Sequence, residues 1–128
     1  MTSIRQVAQR VENLDRAVAF YRDVLGAELI GRYEPPGLAF FAFGEVRVML
    51  GASAPSATLY FAVEDIETSY VALRSRGIVF ENEPRIVHRD DEGRFGPPGE
   101  EEWMAFFRDP EGNLLAIAAR RSGDGLRP

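Results

Sequence analysis

The chain has 128 residues, and its 45% apolar and 27% charged content is that of a globular domain, which excludes a disordered chain. A net charge of −5 argues against nucleic acid as a partner, and no apolar run approaches the roughly 20 residues of a membrane span, so we expect a cytoplasmic protein. The absence of cysteine and lysine excludes disulfides, thiolate chemistry and Schiff-base chemistry.

The first half of the chain predicts a strand, a helix and a hairpin. Residues 4–11 (IRQVAQRV) alternate apolar and polar side chains, as a half-buried strand does. Asn13 suits a helix N-cap, and Gly26 suits the position just after the helix. Between them lies an apolar stripe at helical spacing, formed by Leu14, Ala17, Val18, Tyr21 and Leu25. Residues 38–50 (LAFFAFGEVRVML) are two apolar runs divided by a glycine-containing turn, which predicts an antiparallel hairpin.

The second half repeats this pattern. Residues 57–63 (ATLYFAV) predict a strand, Asp65 a helix N-cap and Gly77 the end of the helix. Residues 104–117 (MAFFRDPEGNLLAI) predict a second hairpin, with its turn at the DPEG sequence. The two strand–helix units lie 52 residues apart, and a repeated unit implies a repeated architecture.

The repeat sets the expected domain organisation. We expect a single domain over residues 1–121, divided into half-modules at about 1–54 and 55–121. The chain after Ala119 has the composition of a frayed terminus, and residues 122–128 are taken as a C-terminal tail.

Side-chain alternation divides each predicted strand between two faces, one under the helices and one opposite. The candidate ligand-binding residues on the opposite face are Gln6, Arg10, Arg47, Met49, Thr58, Tyr60 and Ala116. If the two half-sheets pair, this face lines a concavity whose mixture of apolar and polar side chains is typical of a small-molecule pocket. The alternative is an ordinary sheet face that a partner chain covers.

The second half carries two further candidate site residues. His88 is the one histidine of the chain, and imidazole is suited to acid–base work near neutral pH, so His88 is the candidate catalytic residue unless it is a structural or surface group. Trp103 either stacks on a ligand or fills the core. Residues 89–102 are acidic and rich in glycine and proline, which predicts a disordered loop or a lid with its three glutamates at a solvated tip.

Three segments resemble the vicinal oxygen chelate superfamily: VENLDRAVAFYRDVLG (11–26), FAVEDIETSYVALRSRG (61–77) and FFRDPEGNLLAI (106–117). That superfamily includes glyoxalase I, extradiol dioxygenases, methylmalonyl-CoA epimerase and bleomycin-resistance proteins. The resemblance implies an α+β fold in which two βαβββ modules form an eight-stranded, cup-shaped mixed sheet with the helices outside. It also implies a homodimer.

The resemblance further implies which positions would hold a metal ion. Metal-using members hold the ion with four inward side chains, and the matching positions here are Gln6, Met49, Thr58 and Ala116. Gln6 is a permitted ligand in some glyoxalase I proteins, but Met49 and Ala116 replace carboxylates and Thr58 replaces a residue that is usually histidine. Divalent ions such as Zn²⁺ need three or four nitrogen or oxygen donors, typically imidazoles or carboxylates. We therefore expect neither a metal ion nor another cofactor.

Two functions remain open. The first is metal-free binding of a small anionic or aromatic molecule in the cup, like the sequestration carried out by bleomycin-resistance proteins. Arg10 matches an arginine that contacts the carboxylate of glutathione in glyoxalase I, although it equally suits an ion pair with Glu12 at the rim; Arg47 offers a similar choice between ligand and solvent. The alternative is a glyoxalase I-, epimerase- or dioxygenase-like enzyme, metal-dependent through Gln6 or metal-independent through His88.

Overall fold

A computed structural model describes residue 2 and residues 4–123. The elements in chain order are β1 (Gln6–Arg10), α1 (Leu14–Ala19), β2 (Glu28–Tyr33), β3 (Leu38–Phe43), β4 (Val46–Gly51), β5 (Leu59–Ala62), α2 (Ile66–Ser75), β6 (Arg85–Asp90), β7 (Glu100–Arg108) and β8 (Leu114–Ser122). The strands form two four-stranded sheets, ordered β1-β4-β3-β2 and β5-β8-β7-β6. In each sheet the first and last strands of the module, β1 with β4 and β5 with β8, pair in parallel. The predicted α+β class with two βαβββ modules is confirmed.

The chain divides into two compact units that follow the repeat, except that one turn of the second half belongs to the first unit. Of the described residues, the first unit contains those up to Thr58 together with Arg108–Leu114. The second contains Leu59–Phe107 and residues 115–123. The turn between β7 and β8 therefore belongs with the first module, although both of its flanking strands belong to the second.

The first helix begins after Asn13, the predicted N-cap, and its last turn is π-helical. Asn13 Oδ1 accepts a hydrogen bond from the Arg16 amide at 3.0 Å, which satisfies one of the free amides of the first turn. After α1 the chain continues as a π-helical turn over Phe20–Val24, because the Leu25 amide donates to the Phe20 carbonyl, five residues back, at 3.1 Å. The predicted helix is confirmed, apart from this change of winding in its last turn.

The second module repeats this capping. Asp65 Oδ1 accepts from the amides of Glu67 at 3.0 Å and Thr68 at 3.4 Å, which starts α2. Gly77 has a φ of +96°, a left-handed conformation that glycine adopts without strain, and it ends the helix. The predicted alternation also holds through the middle of both strands, where Ala105 and Phe107 of β7 and Leu115, Ile117 and Ala119 of β8 are buried; Ala116 of the opposite face is buried as well.

Buried polar groups fix the turn between β7 and β8 to the first module. The buried Asp109 carboxylate accepts from the Tyr21 hydroxyl at 3.0 Å and from Asn113 Nδ2 at 2.9 Å, both on Oδ2. Asn113 Nδ2 also donates to the Arg10 carbonyl at 2.8 Å. Burial, and then the adjacent Asp109 carboxylate, raise the pKa of Tyr21 well above its ordinary value, so its hydroxyl stays protonated and donates.

Glu111 makes a second attachment of the same turn. Its side chain is only 3% exposed and accepts from the Glu12 amide at 2.5 Å, the Asn13 amide at 3.3 Å and Arg16 Nε at 3.1 Å. Burial alone would raise the pKa of Glu111, but these amide and guanidinium donors outweigh it and lower the pKa below its ordinary value. The Glu111 carboxylate is therefore ionised when it binds the start of α1.

Two expectations about the second hairpin were wrong. The three glutamates at 100–102 are not a solvated tip: they begin β7, and Glu101 is buried. The chain after Ala119 is not frayed at once, because β8 continues to Ser122 and Arg120 is held there by carboxylates. Residues 124–128 of the predicted tail lie outside the described residues. Within the described part of the chain, no helix is long and apolar enough to span a membrane.

Candidate functional site

The second module contains an open cavity of about 550 Å³ at the edge of its sheet. It is lined by Val87, His88, Phe95, Glu102, Met104 and Arg120, and we call it the second-module cavity. A β-bulge between Ile86 and His88 interrupts the alternation of β6, so that the neighbours Val87 and His88 both line it. Cavities of roughly 300–1,000 Å³ with mostly apolar walls are typical of small-molecule sites.

The loop that brings Phe95 to the cavity is a compact turn held by Asp90. Asp90 Oδ1 accepts from the Arg94 amide at 2.8 Å, and Oδ2 accepts from the Phe95 amide at 2.9 Å. The Asp90 carbonyl closes the loop by accepting from the Gly99 amide at 2.8 Å. The loop spans only residues 91–99, because β6 and β7 extend into the predicted loop from both sides.

These bonds also set the charge of Asp90. Donation from the Phe95 amide is the largest effect; burial opposes it, and the Arg94 amide and the Arg120 guanidinium add to it, so that the pKa of Asp90 falls to about 2. The carboxylate is therefore ionised at any pH at which the protein would work.

Arg120 crosses the back of the cavity and connects three segments. Its Nε lies 2.8 Å from Glu100 Oε1 and its Nη2 lies 3.0 Å from Asp90 Oδ2, while Nη1 lies 3.9 Å from Glu102 Oε2. Nη2 also donates to the Pro97 carbonyl at 3.4 Å. These bonds place the guanidinium among β6, β7 and the 91–99 loop, so it fixes the cavity wall.

His88 is the predicted catalytic residue that the structure places at the cavity. Its ring lies edge-on to Phe95, with the ring centroids 6.2 Å apart. In the sheet it is the cross-strand partner of Glu102, so an imidazole and a carboxylate both line the same space. An imidazole beside a carboxylate is suited to moving a proton.

The other predicted site residues of the second module are not among those that line this cavity. Trp103 alternates with Glu102 and Met104 along β7 and thus points to the other face, where Arg121 stacks 4.4 Å from its ring centre. Tyr60 packs edge-on against Phe106 at 6.1 Å. Ala116, its cross-strand partner on β8, is fully buried.

In the first module the structure brings three predicted residues together. Arg47 Nε donates to Gln6 Oε1 at 3.1 Å, and Gln6 Nε2 lies 3.9 Å from Met49 Sδ. Arg10 lies at the end of the same strand, exposed, with its guanidinium 3.6 Å from Glu12, so the ion pair that the sequence offered as an alternative is present. Thr58 is exposed and lies just before β5.

The donors at the family's metal positions do not fit a divalent ion. The Gln6 carbonyl oxygen already accepts from a guanidinium, whose positive charge would repel a metal ion at that point. Met49 offers only a thioether, and Ala116 offers no donor. Among the described residues, no group of three or more histidine, aspartate or glutamate side chains could hold a metal ion. We therefore derive no chemistry through a metal.

Five cavity residues were not predicted from the sequence: Val87, Phe95, Glu102, Met104 and Arg120. For Glu102, Met104 and Arg120 the signal was the period-two alternation of β7 and β8, continued beyond the predicted strand ends. Extending β7 back to Glu100 puts Glu102 and Met104 on one face and Trp103 on the other.

Together, the repeat and the cavity define an α+β protein of two βαβββ modules with a small-molecule-sized cavity in the second. The chain belongs to the Glyoxalase/Bleomycin resistance protein/Dioxygenase superfamily, whose family model matches residues 3–117.

Its relatives differ in what they are described to do. The chain is 26% identical to the uncharacterized protein YraH of Bacillus subtilis (strain 168), over 88% of this chain and 94% of that protein. It resembles the crystal structure of lactoylglutathione lyase from Agrobacterium tumefaciens, with a TM-score of 0.70 and 24% identity over 93% of this chain and 94% of the other. It also resembles TnmS3, an antibiotic binding protein from Streptomyces sp. CB03234, with a TM-score of 0.75 and 15% identity over 94% and 98%. Likeness to these two structures shows the shared fold alone.

Proposed function

We propose that the protein binds a small aromatic molecule in the second-module cavity without a metal ion and releases it chemically unchanged. The observation that carries this is the cavity itself, whose volume of about 550 Å³ and walls of Val87, Phe95 and Met104 suit a flat apolar ring. Sequestration of this kind agrees with the antibiotic-binding activity named for TnmS3.

Of the two ligand types that the sequence left open, the cavity supports the aromatic one. The anionic option depended on Arg10 and Arg47. Arg10 faces Glu12 in an ion pair, which leaves Arg47 as the candidate anchor for an anion on the first module. That option predicts binding at Gln6, Arg47 and Met49 of the first module and not at the residues that line the second-module cavity.

A thermal-shift screen of aromatic metabolites and aromatic antibiotics tests the proposal. Hits should raise the midpoint of unfolding in the wild type and in Val79→Ala, and should lose most of this effect in Phe95→Ala. Val79 is a suitable control because it is an exposed apolar residue of the second module that is not among the residues lining the cavity. Stabilisation by aromatic compounds that Phe95→Ala leaves intact would place binding elsewhere.

A metal-independent enzyme is the second candidate, because His88 and Glu102 line the same cavity. Each hit should therefore be incubated with the protein and analysed by mass spectrometry. Recovery of unchanged compound supports binding alone. Product that forms with the wild type and disappears in His88→Ala, while binding persists, would make the protein an enzyme in which His88 moves a proton.

A further inference from the structure

The wall of the second-module cavity carries more negative than positive charge. Among the described residues, the Arg120 guanidinium faces three carboxylates, those of Glu100, Asp90 and Glu102. One positive group against three negative ones leaves a net charge of about −2 beside the cavity. The charges of the adjacent loop do not alter this sum, because they pair with one another: Arg89 with Asp91 and Arg94 with Glu92.

Glu102 is the carboxylate that is least satisfied by the protein. Asp90 accepts two loop amides as well as Arg120, and Glu100 takes the guanidinium Nε at 2.8 Å. Glu102 lies 3.9 Å from Arg120, beyond hydrogen-bonding distance, and has no closer polar partner within the described part of the chain. Its side chain is 27% exposed and lines the cavity, so its oxygens are free to accept from a bound molecule.

The aromatic wall adds to the same preference. Phe95 is 74% exposed, and its ring meets the His88 ring edge-on. A face of the Phe95 ring is therefore open to a ligand. A cation near the face of an aromatic ring is attracted by the negative charge density of that face. The Glu102 carboxylate and the Phe95 ring thus both favour a positively charged ligand.

We propose that the second-module cavity selects positively charged aromatic molecules over negatively charged ones of the same shape, with the Glu102 carboxylate as the counter-charge. This rests on the proposed function, because it assigns a ligand class to the same site. Arg120 holds the acidic groups at the wall, where its own charge is matched by Asp90 and Glu100.

Three naphthalene probes of equal size and different charge test the inference: protonated 2-naphthylmethylamine, neutral 2-naphthylmethanol and anionic 2-naphthoate. Their affinities are compared by isothermal titration calorimetry at neutral pH and low salt, where charge effects are least screened. The ammonium is expected to bind about tenfold more tightly than the carboxylate, the size of effect that one unscreened charge contact produces.

Two variants identify the group responsible. Glu102→Gln keeps the shape of the side chain and should remove most of the preference for the ammonium over the carboxylate. Glu64→Gln makes the same change in net charge at an exposed position outside the cavity and should leave the preference intact. Because Glu102 has no polar partner closer than 3.9 Å among the described residues, Glu102→Gln should fold, and its unfolding midpoint checks this.

The outcomes separate the two proposals. Binding of none of the three probes would overturn the aromatic-binding function itself. Binding of 2-naphthoate as tightly as the ammonium, or a preference that Glu102→Gln does not reduce, would overturn the charge selection while leaving aromatic binding in place. Added salt should weaken the binding of the ammonium and not that of the alcohol; equal weakening of the binding of both would also contradict the inference.

Discussion

The bond from Tyr21 to Asp109 gives the sharpest test of how the β7–β8 turn is held. The Tyr21 ring is fully buried, and its hydroxyl donates to Asp109 Oδ2 at 3.0 Å. Tyr21→Phe keeps the ring and removes this one donor from a buried carboxylate. A hydrogen bond to a charged group contributes about 1.5–3 kcal/mol, so the free energy of unfolding should fall by about that amount. For a chain of this size the melting temperature should fall by roughly 4–12 °C.

Equilibrium unfolding in urea, followed by circular dichroism, measures this change. Tyr33→Phe is the matched control, because Tyr33 is half-exposed on β2 and loses a hydroxyl with no hydrogen bond to the described residues. It should cost less than about 0.5 kcal/mol, as surface changes usually do. Equal losses in the two variants would refute the reasoning that a buried hydroxyl–carboxylate bond attaches the turn to the first module.

Four further predictions use other contacts. Glu111→Gln should destabilise the protein by about 1–3 kcal/mol, because the Glu12 and Asn13 amides and the Arg16 guanidinium lose an ionised acceptor, whereas the exposed Glu45→Gln should change little in the same urea assay. Because the pKa values of Asp90 and Glu111 are depressed, their stabilisation is complete above the ordinary carboxyl pKa of about 4 and is lost as pH falls through the lowered values. For Asp90 this pKa is about 2, so the free energy of unfolding should decrease between about pH 4 and pH 2, and less steeply in Asp90→Asn. Chelator or added Zn²⁺ should leave the melting temperature unchanged, and a fall of several degrees on chelation would revive metal binding through Gln6. Light scattering should give twice the 14.3 kDa mass of one chain, as expected for the homodimer that the resemblance implies, and the single-chain mass would contradict it.

The sequence predicted those parts of the fold that local signals define. Asn13 and Asp65 were recognisable as N-caps because an Asx side chain before an apolar stripe satisfies free helix amides within three residues. Gln6, Arg47 and Met49 were placed on one face because alternation along a strand is itself local. Each of these inferences depended on spacing over a few residues.

The cavity depended instead on contacts between residues far apart in the chain. Asp90 and Arg120, which are bonded to each other, are separated by 30 residues. The end of β6 and the start of β7 are strands because they pair with each other, although their composition is typical of solvated loops. Because the start of β7 was placed too late, alternation could not separate Trp103 from Glu102 and Met104. The bulge beside His88 likewise has no marker in the sequence, since no glycine or proline stands there.

The most direct test of the central claim is methyl NMR of the protein labelled at its methionines, titrated with 2-naphthylmethanol. The chain has three methionines, of which Met104 lines the second-module cavity, Met49 lies beside Gln6 on the first module and Met1 lies outside the described residues. Ring-current shifts act over short distances, so the methyl signal that moves identifies the binding surface. Binding in the second-module cavity predicts a saturable shift of the Met104 methyl with little change at Met49; a shift at Met49 with Met104 unchanged would contradict binding there.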